Sequence, residues 1–446
     1  MRIPNIDRLA SEGVIAENVF CTNSICVPSR ATILTGQYSH INGAKVLSDS
    51  LPSEANNTAK MMQQAGYQTA IVGKWHLKSK PAGFDYFEVL RAQGQYINPI
   101  LYSAENFESG GRQYDGHSSD IIVDLSLEWL TERKHKRKPF ILMTHFKSVH
   151  EPFYAAQRHL DLFTGDTIPE PEDLLWRESP RGKTCEGWPL EILQSRFLNN
   201  PERYPTPALQ IKFGQDTLEA RKATYQKFVR NYLQGVASID EGVGRLIEHL
   251  QYTGELDNTI VIYTSDQGYF LGEHNMFDKR FMYEESLRMP FIVRYPDEIP
   301  AGSKVTDIIT NVDFAPLLLD FAGLGTPSHM QGRSFRENLS GRTASDWPKN
   351  MYYRYWTDNQ PVRPAHLGIR TRTHKLIYFY GLLSQGVKEE DCWELYDLAN
   401  DPNELQNIYL MADETLITEL KEELIKIRDD FKDYSGPIIS LENTNK

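Results

Sequence analysis

The sequence of 446 residues contains no long apolar run. No stretch approaches the ~18 residues that a membrane-spanning helix requires. The amino end, MRIPNIDRLASEGV, lacks the apolar segment of a secretion signal. From these absences we expect the chain as written to be cytoplasmic and to have no membrane partner.

Basic residues and cysteines are also few. The chain has 48 Lys and Arg against 60 Asp and Glu, a net charge of −12. This balance argues against a general attraction to nucleic acid, although a local basic pocket could still bind an anion. The four cysteines show neither a CxxC motif nor Cys/His metal spacing, and four are too few to form the disulfide framework of a chain this long. They are Cys21, Cys26, Cys185 and Cys392.

What the sequence does contain is an alternation of strand and helix patterns. Helical patterns, the longest at 217–250, separate short β-rich runs bounded by turn residues. This order predicts an α/β fold with a mostly parallel sheet covered by helices on both faces. After Gly323 the pattern changes to antiparallel strands and a final helix at 412–432, so we expect two units, 1–325 and 326–446. The β-rich runs of the first unit are 66–73, 139–146, 258–266 and 290–296, and those of the second are 351–356, 367–371 and 375–380.

The string CVPSRATILTGQ carries the first candidate for chemistry. It places Cys26 and Arg30 at the start of an apolar helix, and the amino end of a helix favours anions. A thiol beside a guanidinium in this setting indicates a nucleophile that acts on anionic substrates. The alternative is a buried structural cysteine followed by a helix-capping Ser29.

Two further strings follow predicted strands. GYQTAIVGKWHL brings Lys74 and His76 to a strand end, where alternation would point both to the same side if the strand continued that far. KSVHEP brings His150 to the end of another strand, with His145 inside that strand as a competing candidate. Open α/β sheets bind ligands at the carboxyl ends of their strands.

The string TSDQGYFLGEHNMFDKR begins at a fourth strand end. Asp266 and Gln267 offer the hard oxygen ligands that calcium or magnesium prefers, and Lys279 offers a compact positive charge. A turn or cap is the alternative for the Ser-Asp-x-Gly spacing.

Together these strings resemble the sulfatase branch of the alkaline phosphatase superfamily. CVPSRATILTG is similar to the sulfatase signature C-x-P-S-R-x-x-x-x-T-G, GYQTAIVGKWHL to the second signature, and ELYDLANDPNELQNI to the carboxy-terminal lobe. The resemblance covers nearly the whole chain. It implies an alkaline-phosphatase-like mixed sheet between helices, followed by a smaller α+β lobe.

The resemblance also implies a mechanism for hydrolysis of a sulfate ester. A maturation enzyme would oxidise Cys26 to formylglycine, whose hydrate is the nucleophile. Ca²⁺, with Mg²⁺ as an alternative, would be held by residue 26, Asp266 and Gln267, where Gln267 replaces the commoner Asn of the family. The other implied roles are sulfate contacts from Arg30, Lys74 and Lys279, protonation of the leaving alcohol by His150, and proton removal by His76.

The substrate implied is a sulfated carbohydrate. The segment around residues 266–290 resembles bacterial enzymes that remove the 6-sulfate of N-acetylglucosamine from glycosaminoglycans or mucins. His40 and His366 are candidate sugar or sulfate contacts. A phosphonate monoester or phosphodiester hydrolase of the same superfamily is the alternative function.

An inactive, truncated sulfatase is a further alternative. Family members usually carry a strand ending in two metal-binding aspartates shortly before a segment like PNIDRLA, and this chain opens at that segment. We therefore expect an incomplete metal site and reduced stability in the chain as written. We expect a longer form that is periplasmic or secreted.

Overall fold

A computed structural model describes most of the chain, and Cys185 lies outside the described residues. Among those residues no helix is both long and apolar enough to cross a membrane. The described residues are 1–133, 136–174, 189–211, 217–356, 363–380, 383–384, 387–388 and 391–441.

Helices and short strands alternate through the first three quarters of the chain. The helices are α1 Pro4–Ser11, α2 Cys26–Thr35, α3 Ser39–Asn42, α4 Thr58–Gln64, α5 Ser118–Glu132, α6 Leu190–Asn199, α7 Thr217–Tyr252, α8 Glu284–Leu287, α9 Phe314–Phe321, α10 Arg336–Leu339 and α11 Glu414–Asp430. The strands are β1 Val14–Ala16, β2 Val19–Phe20, β3 Gln68–Lys74, β4 Tyr86–Leu90, β5 Ile100–Leu101, β6 Arg112–Gln113, β7 Phe140–His145, β8 Val261–Thr264, β9 Phe270–Leu271, β10 Phe277–Asp278, β11 Phe291–Arg294, β12 Ser303–Val305, β13 Ile309–Thr310, β14 Asn350–Tyr355, β15 Ala365–Thr371, β16 His374–Tyr380, β17 Leu383–Ser384, β18 Val387–Lys388 and β19 Cys392–Asp397.

Two small sheets form the centre of the larger unit. One has the order β4-β3-β7 with all strands parallel, and the other has the order β12-β1-β11-β8 with β1 and β8 antiparallel to β11. All four predicted strands of this unit are present, so the α/β prediction is confirmed. The second sheet is mixed because β11 runs against both of its neighbours.

The strands β7 and β8 line a common cavity of about 1040 Å³. Every residue of both strands is half-buried, and the cavity lies between apolar residues of α7 on one side and of α9 on the other. In the described part of the chain, β7 pairs only with β3 and β8 only with β11. The cavity ends at polar residues that follow these strands, including Lys147 and Asp266.

Helix α1 packs this region from outside. Ile6 and Leu9 are buried in one apolar cluster with Ile239 and Val243 of α7. The backbone N–H of Asn5 donates to the carboxylate of Asp240 at 3.1 Å. Ile3 occupies the cap position of this helix without a side-chain hydrogen bond.

The carboxy-terminal unit is built as predicted. Its antiparallel sheet has the order β14-β15-β16-β19, and α11 packs on it through Ile417, Leu420 and Leu424. The exact division at residue 325 stays a prediction.

Candidate active site

The site is centred on Cys26, which is the first residue of α2 and is only 1% exposed. The ammonium Nζ of Lys74 donates to its sulfur at 3.6 Å. The preceding residue, Ile25, occupies the cap position of α2 without a side-chain hydrogen bond. The capping alternative for Ser29 is therefore wrong, and its hydroxyl instead donates to the backbone carbonyl of Asp266.

Positive charge controls the state of this thiol. Burial alone raises the pKa of Cys26, but the ammonium groups of Lys74 and Lys279 hold it well below its usual range. Hydrogen bonds from His150 and His76 act in the same direction. The site thus stabilises negative charge at position 26, as a site for an anionic ester must.

Lys74 and His76 both reach Cys26, but not by strand alternation. Strand β3 ends at Lys74, and His76 lies beyond it with a left-handed φ of 58°. The turn, rather than a continued strand, brings the imidazole back to the sulfur. Gly73, with φ of 102°, permits the close approach of β3 to β7, because a Cβ there would collide with the carbonyl of His145.

Arg30 links three of the strand ends. Its Nε donates to the Asp266 carboxylate at 2.8 Å, and its Nη1 donates to the Lys74 carbonyl at 2.7 Å. The same Nη1 lies 3.2 Å from Nδ1 of His145. Burial, and then the charge of Arg30, lower the pKa of His145 to about 3. A neutral ring in contact with Arg30 fits a structural role for His145, which was the competing candidate to His150.

His150 forms a hydrogen bond to the Cys26 side chain. Burial, and then the charge of Lys279, lower its pKa to about 4. Its ring Nδ1 lies 2.9 Å from the carbonyl of Glu151, and its own carbonyl accepts a hydrogen bond from the Tyr96 hydroxyl at 2.6 Å. Both contacts hold the imidazole in one orientation.

Lys279 completes the group around the sulfur. It is 5% exposed, and its Nζ lies 3.2 Å from the Asp278 carboxylate and 5.2 Å from the centre of the Tyr269 ring. Burial opposes its charge, yet Cys26 and Asp278 together raise its pKa. Lys279 therefore remains an ammonium group.

The donor set for a metal is small. The buried Oε1 of Gln267 has no hydrogen-bond partner in the described part of the chain, so it is free to bind a cation. Asp266 is held by Arg30. Calcium takes about six to eight oxygen ligands, but the described residues include no group of three or more His, Cys, Asp or Glu side chains that could hold a metal. These residues alone do not make a complete calcium site, and the metal roles of Cys26, Asp266 and Gln267 stay predictions.

The two candidate sugar contacts lie elsewhere. His40 bonds through Nε2 to the Phe431 carbonyl at 2.8 Å, beside the end of α11. His366 is 0% exposed and lies against the rings of Phe281 and Phe379, at 5.6 and 4.9 Å between ring centres. The structure does not place either histidine in contact with Cys26, and their substrate roles stay predictions.

The sequence interpretation gave no role to Lys147, Asp278 or Tyr96. Lys147 and Asp278 stand inside the motifs that contain His150 and Lys279, so proximity in sequence was a usable signal. Tyr96 comes from a loop without a recognisable pattern, and only the fold brings it to His150.

A nucleophile among buried cations at the ends of sheet strands defines an enzyme that acts on anionic esters. Comparison with known proteins identifies the class. The family profile described as Sulfatase matches residues 1–324, and that described as N-sulphoglucosamine sulphohydrolase, C-terminal, matches residues 272–430. The chain belongs to the sulfatase family, and it is a sulfuric ester hydrolase with an alkaline-phosphatase-like fold.

Several relatives match over most of their length. The chain is 40% identical to an N-acetylglucosamine-6-O-sulfatase from Bacteroides thetaiotaomicron, over 93% of this chain and 79% of that protein. It is 24% identical to human N-acetylglucosamine-6-sulfatase, over 95% of this chain and 80% of that protein. A solved structure in complex with its substrate D-glucosamine-2-N,6-O-disulfate superposes with a TM-score of 0.87 at 37% identity, covering 98% of this chain and 94% of the other.

Proposed function

We propose that this sulfatase removes the 6-sulfate from N-acetylglucosamine units of glycosaminoglycans or mucins. The observation that carries the proposal is the buried group of Cys26, Lys74 and Lys279 in a chain 40% identical to an N-acetylglucosamine-6-O-sulfatase. The substrate of the solved relative, a glucosamine bearing a 6-O-sulfate, supports the same sugar and position.

Electrostatic stabilisation is the main task of the site in this proposal. The sulfate group sits at Cys26 with the ammonium groups of Lys74 and Lys279 around it, and these are already fixed before the substrate arrives. Fixed charges in a water-poor site stabilise a transition state without reorganisation. Arg30 adds positive charge while it anchors Asp266.

The nucleophile requires a modification that the family typically carries. Oxidation of Cys26 to formylglycine by a maturation enzyme would replace the thiol with an aldehyde, and addition of water to that aldehyde would give a hydrate whose hydroxyl is the nucleophile. We propose that His76 accepts a proton there and that His150, whose pKa the negative charge of a bound sulfate ester raises, donates one to the oxygen of the leaving sugar. The hydrogen bonds of both imidazoles to the Cys26 side chain support these two roles.

The proposal is tested by measuring sulfate release from N-acetylglucosamine-6-sulfate. The protein for this assay is matured in a cell that has a formylglycine-generating enzyme. Galactose-6-sulfate and N-acetylglucosamine-3-sulfate are the matched controls for sugar and position. We expect turnover of the first substrate only, and none with Cys26→Ala. Equal rates on the three esters, or turnover by Cys26→Ala, would contradict it.

A phosphonate monoester hydrolase is the alternative within this fold. A phosphonate monoester hydrolase from Silicibacter pomeroyi has a TM-score of 0.74 at 22% identity, covering 97% of this chain and 91% of the other, which shows the fold alone. The hydrolysis rates of a phenyl phosphonate monoester and of phenyl sulfate, measured at equal substrate concentration, separate the two activities. Faster release from the phosphonate would favour the alternative.

A further inference from the structure

Lys147 is a buried cation in the active-site cavity to which the proposed mechanism gives no task. It is 3% exposed and lines the same cavity as Lys74, His150 and Lys279. Its Nζ donates to the backbone carbonyl of Gln93 at 2.9 Å and lies 4.6 Å from the centre of the Tyr96 ring. An ammonium group has three donors, so two remain.

Most of the charged groups that act on Lys147 are positive. Arg30 is paired with Asp266, and Lys279 with Asp278. In the described ranges of the chain, no carboxylate lies within ion-pair distance of Lys147. Burial, and then the charges of Lys74 and Arg203, lower its pKa to about 7. A buried cation held next to other cations is unfavourable unless an anion joins it.

Arg203 is a second cation whose charge acts on Lys147. The Tyr204 hydroxyl donates to the carboxylate of Glu151, which immediately follows His150. The Arg196 guanidinium bonds to the other oxygen of that carboxylate at 2.5 Å. This clamp fixes the segment that carries Arg203, whose own side chain is exposed.

The position of Lys147 relative to His150 indicates which part of the substrate Lys147 contacts. In the proposed function His150 protonates the leaving sugar, so the sugar lies on the side of His150. Lys147 precedes His150 by three residues, and Tyr96 contacts both of them. A charged substituent on that sugar would therefore approach Lys147, while the scissile sulfate occupies Lys74 and Lys279.

We propose that Lys147 and Arg203 form a second anion subsite, which binds a further sulfate on the sugar that carries the scissile sulfate. The subsite makes the enzyme bind disulfated glucosamine more tightly than N-acetylglucosamine-6-sulfate, which it also binds. This inference rests on the proposed function for its substrate, but its test does not require turnover.

The test measures binding of two sugars by calorimetry to the unmodified protein with Cys26 intact. Glucosamine-2-N,6-O-disulfate carries a second sulfate, and N-acetylglucosamine-6-sulfate does not. One charge-assisted contact contributes about 1.5–3 kcal/mol, so we expect the disulfate to bind about tenfold to a hundredfold more tightly. In Lys147→Met this preference is lost, and the affinity for the monosulfate stays within about twofold.

Two variants guard against a folding defect. Arg203→Ser changes an exposed residue and should reduce the preference for the disulfate to an intermediate value. Lys421→Met removes a buried lysine that lies 4.8 Å from the Trp393 ring in the other lobe, and it should keep the full preference.

Two outcomes would overturn the subsite. One is equal affinity of the wild type for the two sugars, and the other is an equal loss of both affinities in Lys147→Met, which would place Lys147 at the scissile sulfate. If the matured enzyme fails to hydrolyse either sugar while the binding preference holds, the proposed function fails and the subsite stands.

Discussion

The ammonium group of Lys74 lies 3.6 Å from the sulfur of Cys26, and both groups are fully buried. Neither group is near water that could neutralise its charge. The pair therefore acts as one unit, in which the lysine stabilises negative charge on whatever group occupies position 26.

Loss of Lys74 should be visible in the ionisation of the unmodified thiol. We expect ultraviolet absorbance to show that the wild-type thiol ionises well below its usual pH range, and that its ionisation moves to higher pH in Lys74→Met. The matured variant should lose about a hundredfold to a thousandfold in kcat/KM, the usual effect of removing one fixed donor to a developing charge. The variant Cys26→Ala identifies the absorbance signal of Cys26 by removing it. Cys21 does not interfere with this signal, because burial raises the pKa of its thiol to about 12. An unchanged ionisation in Lys74→Met would contradict the pairing.

The role of His150 as proton donor predicts a dependence on the leaving group. His150→Gln should reduce kcat/KM for N-acetylglucosamine-6-sulfate by about a hundredfold to ten-thousandfold, the range for a general acid. It should reduce hydrolysis of 4-nitrophenyl sulfate much less, because nitrophenolate leaves without a proton. Equal losses on both substrates would assign His150 to sulfate binding. His145→Gln is the matched histidine control, and it should affect both substrates to the same extent.

Strand ends were the part of the site that the sequence predicted best. Lys74, His150 and Asp266 each follow a β-rich run, and the carboxyl ends of neighbouring parallel strands meet at one edge. The geometry of His76 was not predictable, because it depends on a left-handed turn rather than on alternation. Tyr96 could not be found either, since its contact with His150 spans 54 residues and follows from tertiary packing alone.

The two lobes also differ in how far the sequence predicted their sheets. Short β-rich runs predicted the strands β14, β15 and β16, and each of these strands pairs with the next along the chain. The mixed order of the β12-β1-β11-β8 sheet was not predictable. Its three-residue strands, such as β1, carry too little pattern to reveal their partners.

The small donor set predicts weak metal binding by this chain. Asp266 and Gln267 supply two oxygen-bearing side chains, and the first is already bonded to Arg30. We expect micromolar Ca²⁺ to leave the thermal midpoint unchanged, because only a bound ligand raises it. Mg²⁺ serves as the comparison cation. A rise at micromolar Ca²⁺ that is lost in Gln267→Leu would show that the site is more complete than these two residues.

The carboxy-terminal tail is held to its sheet by a buried ion pair whose loss should destabilise the fold. The Arg354 guanidinium donates to the Asp433 carboxylate at 2.5 and 2.6 Å, and the Tyr352 hydroxyl donates to it at 2.6 Å. Asp433→Ala leaves Arg354 without its partner and should lower the free energy of unfolding by about 3–5 kcal/mol. Urea unfolding measures this. Removal of the exposed partner of Arg342, in Glu337→Ala, should leave the free energy of unfolding unchanged.

The pH dependence of this ion pair has a defined sign. Burial opposes ionisation, but Tyr352 and Arg354 hold the pKa of Asp433 below its usual value. A carboxyl group with a lowered pKa in the folded state stabilises the fold above its unfolded pKa, and this contribution is lost as the pH falls through the folded pKa. The difference in unfolding free energy between wild type and Asp433→Ala should therefore be largest at neutral pH and should narrow in acid. A difference that widens in acid would mean that Asp433 is protonated in the native protein.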